Sequence, residues 1–177
     1  ELVHAGIDSF KIEGRMKTAL YVATVARTYR RAIDDYFVSE ETYRANMPWY
    51  LDQIVNCTYR QFTTGFFFGK PDESSQIYDN NTYVKEYTYL GIVGGINEEG
   101  FCRIEQRNKF SVGETIEVMK PDGTDIPVIV KRIQDQDGNE MESAPHPKQI
   151  LYIDLGQPLA KFDILRRQEK EEQADEQ

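Results

Sequence analysis

Short apolar segments that alternate with glycine turns limit the folds open to the second half of this chain. Turn dipeptides such as Asp122-Gly123 and Asp137-Gly138 separate these segments. The six candidate strands are Lys85–Val93, Phe101–Gln106, Thr115–Lys120, Ile126–Ile133, Gln149–Asp154 and Asp163–Leu165. Because so many short strands leave unpaired edges unless the sheet curls back on itself, the sequence predicts a small antiparallel β-barrel over residues 83–167.

Residues 1–45 have a different pattern, that of a strand followed by a long helix. The apolar stretch Ile7–Glu13 ends at Gly14, and from Thr18 to Phe37 apolar residues recur every three or four positions. A parallel strand needs sheet neighbours and covering helices, so this unit reads as the terminal part of a truncated β/α barrel. We therefore expect a fragment, whose first dozen residues are weakly anchored or packed against the helix.

Residues 46–82 are predicted to form a second helix and a connecting loop. Asn46 is placed to cap this helix, and Pro48 lies in its first turn. The predicted fold class is therefore α+β, with N-terminal helices followed by a β-barrel. Three arginines of the first helix, Arg27, Arg30 and Arg31, are assigned to its solvated face.

The acidic charge of the chain is concentrated after residue 45. Lysine and arginine number 21 against 30 aspartate and glutamate residues, a net charge of −9. Residues 168–177 are rich in acids and are predicted to be a disordered tail. Such a charge argues against non-specific binding to nucleic acid or anionic membranes by the whole chain, and the sequence has no apolar run long enough to span a membrane.

Cysteine and histidine are sparse and dispersed. The two cysteines, Cys57 and Cys102, fall in helix and strand patterns, where thiols are usually buried and inert. The two histidines, His4 and His146, stand alone. The sequence therefore predicts no disulfide framework, no metal site and no nucleophile beside a base.

Three groups of residues are candidates for a functional site. Lys11, Glu13 and Arg15 cluster where a β/α-barrel strand would end, which suits the edge of an active site, although a salt-bridged strand end is the alternative. Candidate substrate-binding residues are His146, held between two prolines, and the run Phe66, Phe67 and Phe68 between two glycines. A rigid connector and core packing are the respective alternatives.

Several stretches resemble peptidase family U32, the collagenase-like proteases. The most specific is AGIDSFKIEGRMK at residues 5–17. Weaker matches lie at residues 21–23, 29–34, 62–66, 89–93 and 144–147. Glu13 and Arg15 match the family motif. The resemblance implies an N-terminal β/α barrel and a C-terminal β-barrel like the second domain of translation elongation factors.

The resemblance also implies a function. The family's named activity is proteolysis, while better understood members hydroxylate bases in transfer or ribosomal RNA, or ubiquinone precursors, with an iron–sulfur cluster held by cysteines. That cysteine signature is absent from this sequence. We therefore expect no cofactor within this chain and an iron–sulfur cluster in the parent protein.

The leading hypothesis is a cytoplasmic, non-catalytic accessory region that positions a protein or RNA substrate for an upstream β/α barrel in a collagenase-like protease. The first alternative is the corresponding region of an iron–sulfur-dependent tRNA hydroxylation enzyme, with the barrel binding RNA. Its candidate basic patch comprises Arg103, Arg107, Lys109, Lys131 and Arg132. The second alternative is a packing or dimerisation module in which Phe66–Phe68 form the interface.

Overall fold

The computed structural model describes residues 1–55, 57, 65–70 and 87–169. In these residues three helices precede eight strands, which confirms the α+β class. The helices are α1 (Ala19–Val38), α2 (Glu40–Ala45) and α3 (Met47–Val55). The strands are β1 (Tyr87–Ile96), β2 (Cys102–Gln106), β3 (Thr115–Met119), β4 (Asp125–Ile129), β5 (Arg132–Gln134), β6 (Glu140–Met141), β7 (Ile150–Asp154) and β8 (Ile164–Gln168). Within that part of the chain, none of the helices combines the length and the hydropathy that a membrane crossing needs.

Helix α1 matches the predicted range Thr18–Phe37 to within a residue at each end. The Thr18 side chain caps it by accepting a hydrogen bond from the backbone N–H of Tyr21. Ser39 ends α1 and also caps α2, because its hydroxyl accepts from the backbone N–H of Thr42. Helix α2 was not predicted, since six residues are too few to show a helical period.

The segment before α1 contains no strand, so the strand predicted over Ile7–Glu13 is wrong for this structure. A single strand without neighbours has no partners for its backbone N–H and C=O groups. The segment instead folds back on the helices. There, Nε2 of His4 lies 2.8 Å from the hydroxyl of Tyr36, and the two rings meet edge to face.

Asn46 does not cap α3 as predicted. Its backbone is helical, with φ −88° and ψ 0°, and it ends α2. Its side-chain amide donates instead to Oδ2 of Asp35, 2.8 Å away, which ties the α2–α3 junction to α1. Pro48 lies in the first turn of α3, as expected.

The strands form one antiparallel sheet in the order β4-β3-β8-β1-β2-β7-β5-β6. The sheet curls into a half-barrel, and backbone hydrogen bonds join the segment before β3 to the segment after β6. The N–H of Val112 donates to the carbonyl of Glu142, and the N–H of Ala144 donates to the carbonyl of Phe110. In the strand order given above, the last strand, β8, lies inside the sheet, between β3 and β1.

Apolar side chains fill the interior of the half-barrel. Strand β2 illustrates the alternation that produces this core, because Cys102 and Ile104 are buried while Arg103 between them is exposed. The most completely buried members of the core are Leu90, Val93, Ile104, Phe110, Val118, Val130, Ile133, Ala144, Leu151, Ile153 and Leu165. The core therefore belongs to the predicted barrel region.

The predicted strand Ile126–Ile133 proves to be two strands, β4 and β5. The chain changes partners between them, because the N–H of Val130 donates to Glu114 beside β3, whereas the N–H of Lys131 donates to Asp154 of β7. Strand β6 was missed because it has only two residues.

Strand β8 runs to Gln168, so the predicted tail at residues 168–177 begins inside a strand. The rest of that tail, beyond Glu169, lies outside the described residues, as does most of the predicted loop within residues 46–82. The likeness to the second domain of translation elongation factors stays a prediction.

Helix α1 packs on the outer face of β1, β3 and β8. Leu20 of the helix contacts a buried cluster that contains Tyr89, Met119 and Ile164. Burying a side chain of this size contributes about 2 kcal/mol. The helices are thus fixed to one side of the half-barrel, and the outer surface of β2, β7 and β5 lies on another part of the sheet.

Candidate functional site

A row of polar side chains lies on the outer surface of β2, β7 and β5, which we call the β2–β7–β5 face. Arg103 lies opposite Tyr152, and Tyr152 lies opposite Gln134. One row further along, Asp154 lies opposite Arg132. Successive residues of a strand point to opposite faces, and the residues between these point into the core. The face therefore offers charges beside an aromatic ring.

The candidate basic patch is exposed, and two of its five residues, Arg107 and Arg132, are paired with glutamates. Nη2 of Arg107 lies 2.7 Å from Oε1 of Glu105. Arg132 pairs with Glu140, and the hydrogen bonds from Arg132 and then Gln134 hold the pKa of the Glu140 carboxyl below its usual range.

Arg103 is unpaired, as are Lys109 and Lys131 of the same patch, among the described residues. Its guanidinium makes no ion pair or side-chain hydrogen bond with the residues that the structure describes. It is also exposed, so its charge is available to an external anion.

The described residues form no site that brings Lys11, Glu13 and Arg15 together with the candidate substrate-binding residues. Oε1 of Glu13 accepts hydrogen bonds from the backbone N–H and from Nε of Arg15, at 2.9 and 3.0 Å. The backbone contact, followed by the guanidinium, lowers the pKa of the Glu13 carboxyl. All three residues are exposed, which is the arrangement of a surface ion pair. Their role at the edge of a parental active site stays a prediction.

The candidate substrate-binding residues form two groups, the run Phe66–Phe68 and His146, that no described contact connects. Phe66, Phe67 and Phe68 are all exposed, and Phe67 lines a cavity of about 430 Å³ together with Phe10 and Tyr36. His146 lies in the loop before β7 and is exposed. Among the contacts that the structure describes, none joins His146 to these phenylalanines. Their function stays a prediction.

Neither cysteine is placed for catalysis or for holding a cluster. Cys57 is buried beside the helices, where its Sγ lies 3.7 Å from the carbonyl oxygen of Gln53, and Cys102 is buried in the core of the half-barrel. Burial raises the pKa of both thiols, which disfavours the reactive thiolate. The described residues form no group of three histidine, cysteine or acidic side chains that fits a metal ion. They do not fit an iron–sulfur cluster.

Sequence reasoning missed a buried ionic network between the helices and the sheet. Arg27, which was assigned to solvent, is 7% exposed and donates to Asp125 of β4 and to Gln53 of α3. Arg166 of β8 is 2% exposed and pairs with Glu117 and with the same Asp125. The available signal was position, because Arg27 follows Leu20 and Thr24 at helical spacing on the buried face of α1.

Arg27 and Arg166 act as positioning residues. Each is anchored by a carboxylate on the sheet, so together they fix the orientation of α1 and β8. Tyr87 adds to this network, since its ring centroid lies 4.1 Å from the guanidinium carbon of Arg166.

Comparison with known proteins places both parts of the chain in one family. Residues 1–77 match the model of peptidase family U32, and residues 85–166 match the model of the peptidase family U32 C-terminal domain.

Two curated relatives differ in their names. The tRNA hydroxylation protein P1 of Bacillus subtilis is 33% identical over 168 residues, which are 94% of this chain and 40% of that protein. An uncharacterized protease of Methanocaldococcus jannaschii is 28% identical over 131 residues, which are 72% of this chain and 32% of that protein. Relatives from Haemophilus influenzae and Escherichia coli are also named tRNA hydroxylation proteins. The chain thus spans two fifths or less of the length of these relatives.

A solved structure matches the second part of the chain. The C-terminal domain of a Geobacillus thermoleovorans protein assigned to the U32 peptidases is 32% identical, with a TM-score of 0.42, and the match covers 45% of this chain and 99% of that one. The two family models, together with the Bacillus subtilis relative, show that the chain belongs to peptidase family U32 and carries the family's C-terminal domain.

Proposed function

We propose that this chain is the C-terminal region of a tRNA hydroxylation protein, in which the half-barrel helps to bind the tRNA. The observation that supports this most is the extent of similarity to the Bacillus subtilis tRNA hydroxylation protein P1, which runs through the helices and the half-barrel over 94% of the chain. The protease hypothesis rests on the family name and on a relative of lower identity. Hydroxylation is therefore the better supported of the two.

The role of this region is recognition of the substrate. The buried thiols have raised pKa values, and His146 contacts no nucleophile among the described residues. The β2–β7–β5 face, in contrast, presents an arginine and a tyrosine ring to solvent, which are groups that bind phosphates and bases. The hydroxylation chemistry, together with an iron–sulfur cluster, would then reside in portions of the longer relatives outside this chain.

A second contact surface fits the rest of such a longer protein. Along α1 the residues Val22, Tyr29 and Phe37 are 41%, 50% and 73% exposed. Apolar side chains exposed along one helix are typical of an interface. We place the family's β/α barrel against this helix, and the assembled protein in the cytoplasm, where tRNA is modified.

Binding to fluorescently labelled tRNA tests the proposal. We expect the chain to raise the anisotropy of the tRNA at low salt, with a dissociation constant in the micromolar range. The logarithm of the affinity should fall with the logarithm of salt with a slope of about −1 to −3, because the acidic surface allows contact with only a few phosphates. The variant Arg44→Ala, which removes an exposed arginine paired with Glu40 in α2, serves as the control and should bind equally. A chain that does not bind at low salt would contradict the proposal.

The protease hypothesis makes an opposite prediction. A chain that cleaves casein or collagen, and loses this activity on substitution of Cys57 or His146, would replace the proposed function with proteolysis.

A further inference from the structure

An irregularity in β1 leaves open space beside Arg103, over Gly95. The register of β1 with β2 shifts between Val93 and Gly95, which leaves Gly94 in a β-bulge. A Cβ atom on Gly94 would lie 2.8 Å from Nη1 of Arg103, whereas a Cβ atom on Gly95 would meet no atom within 4 Å. The Arg103 side chain therefore lies over the backbone of Gly94, which carries no side chain, and the space over Gly95 is open.

No partner among the described residues explains the position of Arg103. Arg107 and Arg132, the other arginines on or beside this face, each pair with a glutamate. Arg103 is equally exposed and has no such partner among the described residues. Asp154, which lies opposite Arg132 on the same face, makes no ion pair among the described residues, and Arg103 contributes a positive charge that no described carboxylate contacts.

Tyr152 supplies the second element. It lies directly opposite Arg103 in the β2–β7 pair, where facing side chains have Cβ atoms about 5 Å apart. The ring is half-exposed, and its hydroxyl makes no hydrogen bond with the part of the chain that the structure describes. Tyr152 lies on one side of Arg103, and Gly94, beneath the guanidinium, lies on the other, so this row offers both a stacking surface and a phosphate donor.

We propose that Arg103 and Tyr152, with Gly94 beneath the guanidinium, form a binding site for one nucleotide of single-stranded RNA. Arg103 donates to the phosphate, Tyr152 stacks on the base, and Gly94, which carries no side chain, leaves room for the guanidinium in this position. The site takes an unpaired base, because a base within a helix has no free face for the ring. This inference rests on the proposed function and assigns the RNA contact to one place on the half-barrel.

Four variants of the chain test the site, with labelled tRNA and a labelled single-stranded oligouridine as probes. Arg103→Gln should weaken the binding of both by about tenfold and make the salt slope about one unit shallower, because one phosphate contact is lost. Tyr152→Leu should weaken binding by about tenfold without changing the slope, because stacking carries no charge.

The glycine pair provides a test that keeps both side chains. Gly94→Ala should displace the Arg103 guanidinium and weaken binding, since its Cβ would fall 2.8 Å from Nη1. Gly95→Ala is the matched control and should bind like the original chain, because its Cβ enters open space. Neither glycine has a positive φ, so both variants keep an ordinary backbone.

The outcomes separate this inference from the proposed function. If the original chain binds tRNA and the variants bind equally well, the site is overturned while the function stands. If the original chain binds neither probe, both fail. If Gly94→Ala and Gly95→Ala weaken binding equally, the placement of Arg103 over Gly94 is wrong. A site for an unpaired nucleotide would likewise be overturned if Arg103→Gln and Tyr152→Leu weakened the binding of double-stranded RNA as much as that of the oligouridine. It would also be overturned if they weakened only the binding of an acidic peptide.

Discussion

Arg27 of α1 and Asp125 of β4 form a two-point ion pair across the boundary between helices and sheet. Nη1 lies 2.8 Å from Oδ1, and Nη2 lies 3.0 Å from Oδ2. The same carboxylate is 3.1 Å from Nη2 of Arg166 in β8. One aspartate thus holds two buried guanidinium groups that come from distant parts of the chain.

Removing the Asp125 carboxylate should lower the stability of the fold. Asp125→Ala leaves two guanidinium groups buried without their shared partner, and we expect it to lower the free energy of unfolding by about 3–5 kcal/mol. Asp34→Ala, which breaks the exposed pair with Arg30, should change it by less than about 1 kcal/mol. Urea denaturation followed by circular dichroism measures both. Similar costs for the two variants would show that the buried network does not hold the helices to the sheet.

Tyr50 should stabilise the helices in a pH-dependent manner. Its hydroxyl donates to Oδ2 of Asp35 at 2.6 Å, and this bond, followed by that from Asn46, lowers the pKa of the Asp35 carboxyl. At neutral pH, Tyr50→Phe should therefore reduce the free energy of unfolding by about 1.5–3 kcal/mol. A depressed pKa stabilises the fold above the unfolded value of about 3.9 and ceases to do so as the pH falls through the folded value.

The difference between the original chain and Tyr50→Phe should consequently be constant from neutral pH to about pH 5 and shrink below about pH 4. Burial, with Asp35, also raises the pKa of Tyr50 to about 12, so the tyrosine's contribution to stability should be lost again as the pH rises from about 10 towards 12. Urea denaturation across this pH range is the measurement, and Tyr29→Phe, at a half-exposed tyrosine, is the control. A difference that persists unchanged at low pH would contradict the Tyr50–Asp35 interaction.

Gly123 should tolerate a side chain less well than the comparable turn glycine Gly138. Both have positive φ, +92° and +82°, so alanine costs about 1–2 kcal/mol at each. Only at Gly123 would the added Cβ crowd other groups, with Nη1 of Arg31 at 3.0 Å and Cη2 of Trp49 at 3.4 Å. Gly123→Ala should therefore lose about 1 kcal/mol more than Gly138→Ala in thermal or urea denaturation. Equal losses would mean that the β3–β4 turn does not press on the helices.

The thiols of Cys57 and Cys102 should be unreactive in the folded chain. Both are buried, and burial raises their pKa values. Ellman's reagent should therefore modify them slowly at neutral pH and rapidly after denaturation. The single variants Cys57→Ala and Cys102→Ala identify which thiol reacts. A thiol that reacts rapidly in the folded chain would restore cysteine as a candidate nucleophile.

Local sequence patterns were sufficient to place α1 and most of the strands. The helical stripe from Thr18 to Phe37 marks α1, and turn glycines bound the strands. The sequence did not show the break between β4 and β5 at Val130 and Lys131, because this break arises from a change of hydrogen-bonding partner rather than from a turn residue. Local patterns describe each segment, whereas strand partners depend on distant residues.

The same distinction explains the errors in the candidate site. Arg27 was assigned to solvent because an arginine is normally exposed, and its partner Asp125 is 98 residues away. Arg103 could be chosen from the sequence as one of several exposed basic residues. Its pairing with Tyr152 required the strand register, and its vacant guanidinium could be recognised only once the glutamate partners of its neighbours were known.

The position of β8 has a consequence for how the protein is made. This strand is the last of the half-barrel to leave the ribosome, yet it pairs with both β3 and β1 and contributes Arg166 to the network at Asp125. Until β8 has been synthesised, one edge of β1 and one edge of β3 therefore remain unpaired, and Asp125 lacks one of its two arginine partners. The half-barrel folds after translation has passed residue 168, and nascent chains that stop short of it will expose the edges of β1 and β3 to aggregation.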